Sequence, residues 1–160
     1  MVKEIPLTKG KVALVDDEDY KKLSKYKWRA EKRGDLFYAY RSARRHGGYA
    51  MHGEILSVPL GMEIDHKDRN GLNNQKGNLR FCTVSQNQAN AKSRIGGTSR
   101  FKGVGWFKPS RKWRALIKVK KQLIYLGLFT TEEDAAMAYN NAALRYFGEF
   151  ARLNSVEALN

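Results

Sequence analysis

The sequence predicts an α+β fold built from several small sheets, and three observations carry that prediction. Strand-like alternation comes in short runs bounded by turn residues, at 5–15, 37–41, 63–66, 79–84, 101–106, 112–119 and 123–129. Helical form is confined to three stretches, Asp17 to about Tyr26, Gln86 to Ala91, and a longer one after Thr130. The chain has 160 residues, 42 % apolar and 11 % aromatic, so its cores must be modest.

Residues 1–60 read as a strand-rich segment with one short helix. Ile5 to Val15 alternates around Lys9-Gly10 and forms a hairpin. Asp17-Glu18-Asp19 then opens a helix, where acids suit the positive end of the helix dipole better than they suit a metal. Trp28 and the alternation of Phe37 and Ala39 with Tyr38 and Tyr40 give further strands. Arg41, Arg44 and Arg45 form a basic turn before Gly47-Gly48.

Residues 61–92 read strand, long loop, strand, helix. Glu63-Ile64-Asp65-His66 is the first strand, Leu79 to Val84 the second, and Ser85 caps the helix. The loop from Arg69-Asn70-Gly71 to Lys76-Gly77 is rich in turn residues. Residues 93–98 are a Gly-containing basic linker. Residues 99–154 give three strands and a helix. In the middle strand Trp113, Ala115, Ile117 and Val119 form a core face, and Lys112, Arg114, Leu116 and Lys118 a largely basic one. Thr130 and Glu133 are spaced as a capping box, the alanines from 135 to 143 allow close packing on a sheet, and Gly148 is a natural stop.

Thirty Lys and Arg against 16 Asp and Glu give a net charge of +14, which implies a polyanionic partner. The excess is uneven: +6 over residues 1–50, +2 over 51–98 and +6 over 99–160. Arg100 to Lys121 holds nine cations and no acid. No apolar run approaches a membrane span, and the amino-terminal residues lack a signal-peptide pattern, so a cytoplasmic protein without membrane contact is expected. The single cysteine, Cys82, excludes an internal disulfide framework and a multi-cysteine zinc site.

The weakly charged middle carries the chemistry. Asp65 and Asn87 offer hard oxygen donors suited to Mg²⁺ or Mn²⁺, and a neutral His66 can take a proton from water. Together they suit phosphodiester hydrolysis, although Asn-rich loops also arise for turn reasons alone. On a regular strand Asp65 and His66 point to opposite faces.

Residues 62–92 resemble an HNH endonuclease motif of the phage and intron-encoded homing type, with a ββα-metal layout. An Asp-His pair is followed by Asn78, twelve residues after His66 inside Asn78-Leu79-Arg80, and by Asn87 after Gln86. The resemblance implies that His66 is the general base and that Asp65 and Asn87 hold one divalent metal. It implies that Asn78 orients His66 or braces the loop, and that Arg80 touches a phosphate. Met51-His52 resembles the helix that precedes the motif, with Gly53 where Arg is usual. Only His46, His52 and His66 are present, so the multi-histidine zinc variant is disfavoured.

Residues 99–154 resemble an AP2 domain, a DNA-binding module of plant regulators that also occurs attached to HNH endonucleases. Lys102-Gly103-Val104, Lys112-Trp113-Arg114-Ala115, Tyr125-Leu126-Gly127-Leu128-Phe129, Ala135-Ala136-Met137-Ala138-Tyr139 and Leu153-Asn154 carry the likeness. It implies a three-stranded antiparallel sheet packed on one helix, with DNA contacts from Lys102, Lys118 and Tyr125. Trp106, Lys108, Arg111 and Arg114 could add others, whereas Trp113 belongs to the core by its place in the alternation. Gly105 and Leu123 stand where the plant type has Arg, which argues against the plant domain's target.

The sequence therefore leads to a metal-dependent endonuclease acting on double-stranded DNA, with no small-molecule cofactor. It would be a monomer or weak dimer that nicks, resident in the cytoplasm and, if phage-encoded, in a bacterial host. The rivals are a non-catalytic DNA-binding regulator and an RNA-binding protein.

Overall fold

The computed structural model describes residues 1–42, 48–91 and 97–156. The expected basic turn at Arg44 and Arg45, and most of the expected linker, lie outside the described residues. Helices and small antiparallel sheets alternate, and contacts divide the chain into two compact units, Met1–Thr83 and Val84–Asn160. Among the described residues no helix is long and apolar enough to cross a membrane.

The first unit opens with a hairpin, β1 (Val2–Pro6) against β2 (Val12–Asp16), turned by Lys9 and Gly10 at φ 62° each. Helix α1 (Asp17–Leu23) follows directly, with its three acids in the first turn, and ends earlier than the expected Tyr26. A second sheet runs β3 (Arg29–Arg33), β4 (Leu36–Arg41) and β5 (Tyr49–Ala50), and leads into the short helix α2 (Met51–Ile55). Ile5, Ala13, Val15, Leu23, Trp28, Ala39 and Met51 form the core beneath these elements. Trp28 lies just before β3, and its indole donates to Leu23 O at 2.8 Å.

The hairpin of β6 (Glu63–His66) and β7 (Leu79–Cys82) completes the unit, with Asp65 opposite Arg80 and His66 opposite Leu79. The loop between them is tied to β2. Asn74 N donates to Leu14 O at 2.7 Å, Leu14 N donates to Leu72 O at 2.8 Å, and Lys76 N donates to the Asp16 carboxylate at 2.7 Å. Gly71 passes so close to β4 that a Cβ there would lie 2.5 Å from both Phe37 O and the Tyr38 ring.

The second unit begins with helix α3 (Val84–Asn90). It starts two residues earlier than the sequence suggests, so Ser85 lies inside the first turn rather than at the cap. The Ser85 hydroxyl instead accepts from Lys120 N at 3.3 Å. The sheet follows in the order β10 (Gln122–Phe129), β9 (Lys112–Val119), β8 (Val104–Phe107), all antiparallel. The expected strand from Phe101 therefore begins only at Val104.

Helix α4 (Glu132–Phe147) packs on one face of this sheet, where Ile117, Tyr139, Ala143 and Phe147 are buried together. Its cap is Thr131, whose hydroxyl accepts from Asp134 N at 3.1 Å, one residue beyond the expected Thr130. Gly148 at φ 52° ends the helix. Trp113 is only partly buried, because it sits toward the sheet end, edge-to-face with Trp106 at 5.1 Å. Trp106 is itself in β8.

Candidate active site

Asp65 and His66 end β6, and both are 5 % exposed. A two-stranded ribbon presents alternate residues to opposite faces, so burying both requires cover on each side. On one side Arg80, directly across the ladder, donates to Asp65 Oδ2 from Nε at 3.0 Å and from Nη2 at 2.8 Å. Arg80 is therefore engaged with Asp65, where the resemblance had it touching a phosphate.

On the other side His66 packs among Tyr38 and His52, with ring centroids 5.7 and 5.2 Å away. Its Nε2 lies 3.4 Å from Oδ1 of Asn74, which is fully buried. An amide oxygen only accepts, so a hydrogen bond in this pairing requires the tautomer with the ring proton on Nε2.

Burial lowers the pKa of His66, against the opposing effects of the Asn74 bond and the charges of Asp68 and Asp65. Burial, followed by the neighbouring His66, lowers that of His52 to about 4. Both rings are neutral at pH 7.

Asn78 is not the residue beside His66. Its amide donates to Asp68 Oδ1 at 2.9 Å and to Asn73 O at 2.8 Å, and its oxygen accepts from Asp68 N at 3.1 Å. It braces the loop. Asp68 also accepts from Asn70 N at 2.8 Å and from Asn73 Nδ2 at 2.7 Å. Burial pushes the Asp68 carboxyl up, but these bonds outweigh it and hold the pKa below the usual range.

Sequence reasoning assigned no role to Asn74 or Tyr38 and left His52 as part of a preceding helix. His52 was visible only as a neighbour in the motif, and Asn74 only as one of many loop asparagines. Burial is what singles Asn74 out.

Asn87 lies on α3, in the second unit. The oxygen donors of Asp65 and Asn87 suit a hard divalent cation. Among the described residues no group of three or more His, Cys, Asp or Glu gathers as a zinc cage would need.

The remaining expected DNA contacts also lie in the second unit. Arg114, Lys118 and Tyr125 share the sheet face away from α4, by their register with Leu128, Leu123 and Leu116. Lys108 and Arg111 are exposed in the turn before β9, with Arg111 at φ 49°. Trp106 is on the opposite face, paired with Trp113. Lys102 is turned inward, and its ammonium donates to the carbonyls of Gln88, Ala89 and Ala91 at 3.1, 2.5 and 2.7 Å. That is a side-chain cap on the carboxy-terminal end of α3.

The strand end thus brings a carboxylate, an imidazole and a braced, Asn-rich loop together. The HNH endonuclease family profile matches residues 43–89. An uncharacterized HNH endonuclease of Acanthamoeba polyphaga mimivirus is 33 % identical over 156 residues, covering 93 % of this chain and 78 % of the relative. The chain belongs to the HNH endonuclease family.

Protein 3.8 of Escherichia phage T7 is 38 % identical over 80 residues, 49 % of this chain and 64 % of that protein. An APETALA2-like protein 2 of Oryza sativa subsp. indica is 47 % identical over 60 residues, 36 % of this chain and 14 % of the plant protein. No solved structure matches. Family membership makes the protein a nuclease acting on DNA, and HNH nucleases generally use divalent metal ions.

Proposed function

We propose that the chain is a metal-dependent DNA endonuclease of the homing or nicking type, in which His66 is the general base and the AP2-like second unit supplies targeting. The observation that carries the reading is the buried Asp65–His66 strand end, with Nε2 of His66 facing the fully buried Asn74.

His66 accepts a proton from the attacking water, and Asn74, facing its Nε2, holds the ring in place. Asp65 would hold the metal, joined by Asn87 through its place in the motif. When bound, Mg²⁺ or Mn²⁺ supplies charge stabilisation for the oxyanion and the leaving 3′ oxygen. Arg80 balances the buried Asp65 carboxylate, and Asn78 holds the loop that carries Asn74.

One such site per chain cuts one strand, so a monomer nicks. A cytoplasmic setting, in a bacterial host if the gene is phage-borne, accords with this activity. Arg114, Lys118 and Tyr125, with Lys108 and Arg111 beside them, would contact the duplex. Lys102 would act indirectly, through α3.

The test is incubation with supercoiled plasmid and Mg²⁺. Relaxed circles should appear with the parent protein and not with chelator present. Binding without cleavage at any metal concentration would make the protein a regulator instead.

A further inference from the structure

Beyond its cations, the sheet of the second unit has an apolar centre. Phe107, Arg114, Leu116, Leu123, Tyr125 and Leu128 line a shallow depression of about 480 Å³ on the face away from α4. Leu123 and Tyr125 are 65 % and 59 % exposed, more than a folded domain needs to leave to water at neighbouring positions. A bulge in β10 creates the patch. Tyr125 pairs with Leu116, the register then shifts, and Leu128 pairs with Arg114. Unbroken alternation would send Tyr125 and Leu128 to opposite faces; the extra residue puts both on one. Gly127, at φ 137°, makes the bend possible, and a Cβ there would crowd the Phe129 ring at 3.1 Å.

We infer that this face reads thymine, through contact of Leu116, Leu123 and their neighbours with C5-methyl groups in the major groove. The inference rests on the reading that the second unit binds duplex DNA. Charge complementarity names the occupant. Lys112 and Lys118 stand exposed on the same face, opposite Phe107 and Leu123, within a stretch of nine cations and no acid. A duplex offers phosphates on both sides of a groove that a small sheet can enter.

The base preference follows from what the centre lacks. Every base pair presents polar groups in the major groove that leucine or phenylalanine cannot pair, so the discrimination must come from a group that an apolar side chain favours. Thymine is the base whose major-groove edge carries a methyl group, which gains from the same contact. Arg114, with its guanidinium 5.2 Å from the Phe107 ring centroid, and the phenol of Tyr125 are the polar groups of the lining, and the other four side chains are apolar.

The test uses the full chain with His66→Ala, to prevent cutting, in chelator. Sites are selected from a random duplex library, and single thymines are then replaced by uracil, which removes only the methyl group. The expected result is sites with central A·T pairs and a roughly fourfold loss of affinity per contacted methyl, the value of one buried methyl. That loss should vanish in Leu123→Ser, whose exposed position spares the core. Lys118→Gln is the arm that tests the underlying reading, and it should lower affinity and the salt dependence for every site. A Lys118→Gln effect with no uracil penalty, or with G·C-centred sites, overturns thymine readout and leaves DNA binding by the sheet standing. No effect from either Leu123→Ser or Lys118→Gln overturns both.

Discussion

The two units place their polar chemistry in opposite ways. In the first, Asp65, His66 and Asn74 are sunk to 5 % exposure or less, with Asp65 held by Arg80 and His66 facing Asn74. In the second, Arg111, Lys112, Lys118, Lys120 and Lys121 stand in water on strands and turns. Buried groups act at short range through geometry and shifted pKa values, whereas exposed cations act through summed charge that salt screens. Under the proposed function, the first unit would act on a phosphate common to all DNA and the second would find and hold the duplex. Substitutions should accordingly affect cleavage in one unit and binding in the other.

The largest separation is expected from His66→Ala. Cleavage should drop by roughly 10²- to 10⁴-fold with DNA affinity nearly unchanged. Single-turnover rates at saturating protein, beside binding curves in chelator, measure both. Parental cutting by this variant removes His66 from the chemistry.

The converse is the joint change of Lys112, Lys118 and Lys121 to Gln. If each meets a phosphate, the slope of log affinity against log salt should fall by about 2 to 3, and low-salt affinity should weaken by roughly ten- to a hundredfold. Cleavage at saturating enzyme should stay at the parental rate. A slower saturated rate would mean that the sheet helps to shape the active site. Charge replacement is cleaner than deleting residues 99–160, because Lys102 caps the helix that bears Asn87.

Acid should separate the units by stability. All three histidines precede residue 84. The ordinary pKa of His52 is 6.5 and its folded value about 4, so between these pH values the unfolded chain binds a proton that the folded unit refuses. Stability from this group is complete above pH 6.5 and is lost as pH falls through that window, at up to about 1.4 kcal/mol per pH unit. Melting followed by probes in each unit should show the first losing stability sooner, and His52→Phe should flatten its pH dependence. Equal acid sensitivity of both units would count against a neutral buried His52.

The smallest effect is the most local. Lys120 and Lys121 make the two-residue turn between β9 and β10 at φ 47° and 71°, a conformation that costs a non-glycine residue roughly 1 kcal/mol. Lys121→Gly should raise the melting temperature of the second unit slightly while reducing DNA affinity a few-fold. Gains in both would show that this cation has no part in binding.

Local physics made much of this legible in advance. The period of two in Lys112–Val119, the Asp17-Glu18-Asp19 helix start and the Gly148 stop depend on residues next to one another, so the elements could be read from the chain. Asp65 and His66 stood out in another way, through resemblance to a family motif with Asn78 at a fixed spacing, because an Asp-His pair in an Asn-rich stretch is locally commonplace. The α4 cap slipped by one residue, from Thr130 to Thr131, because adjacent threonines offer the same bond and packing chooses between them.

The partners of these residues depended on contacts between segments distant in sequence. Asn74 rather than Asn78 faces His66 because β2, some sixty residues earlier, pins the loop. Arg80 is committed to Asp65 by the β6–β7 register, and Lys102 to the end of α3 by burial. Tyr125 and Leu128 share a face through a bulge that a strict alternation conceals. Sequence patterns record which residues want to be buried or extended. Which buried group meets which is decided by long-range packing, where one residue of register or one braced loop changes every neighbour.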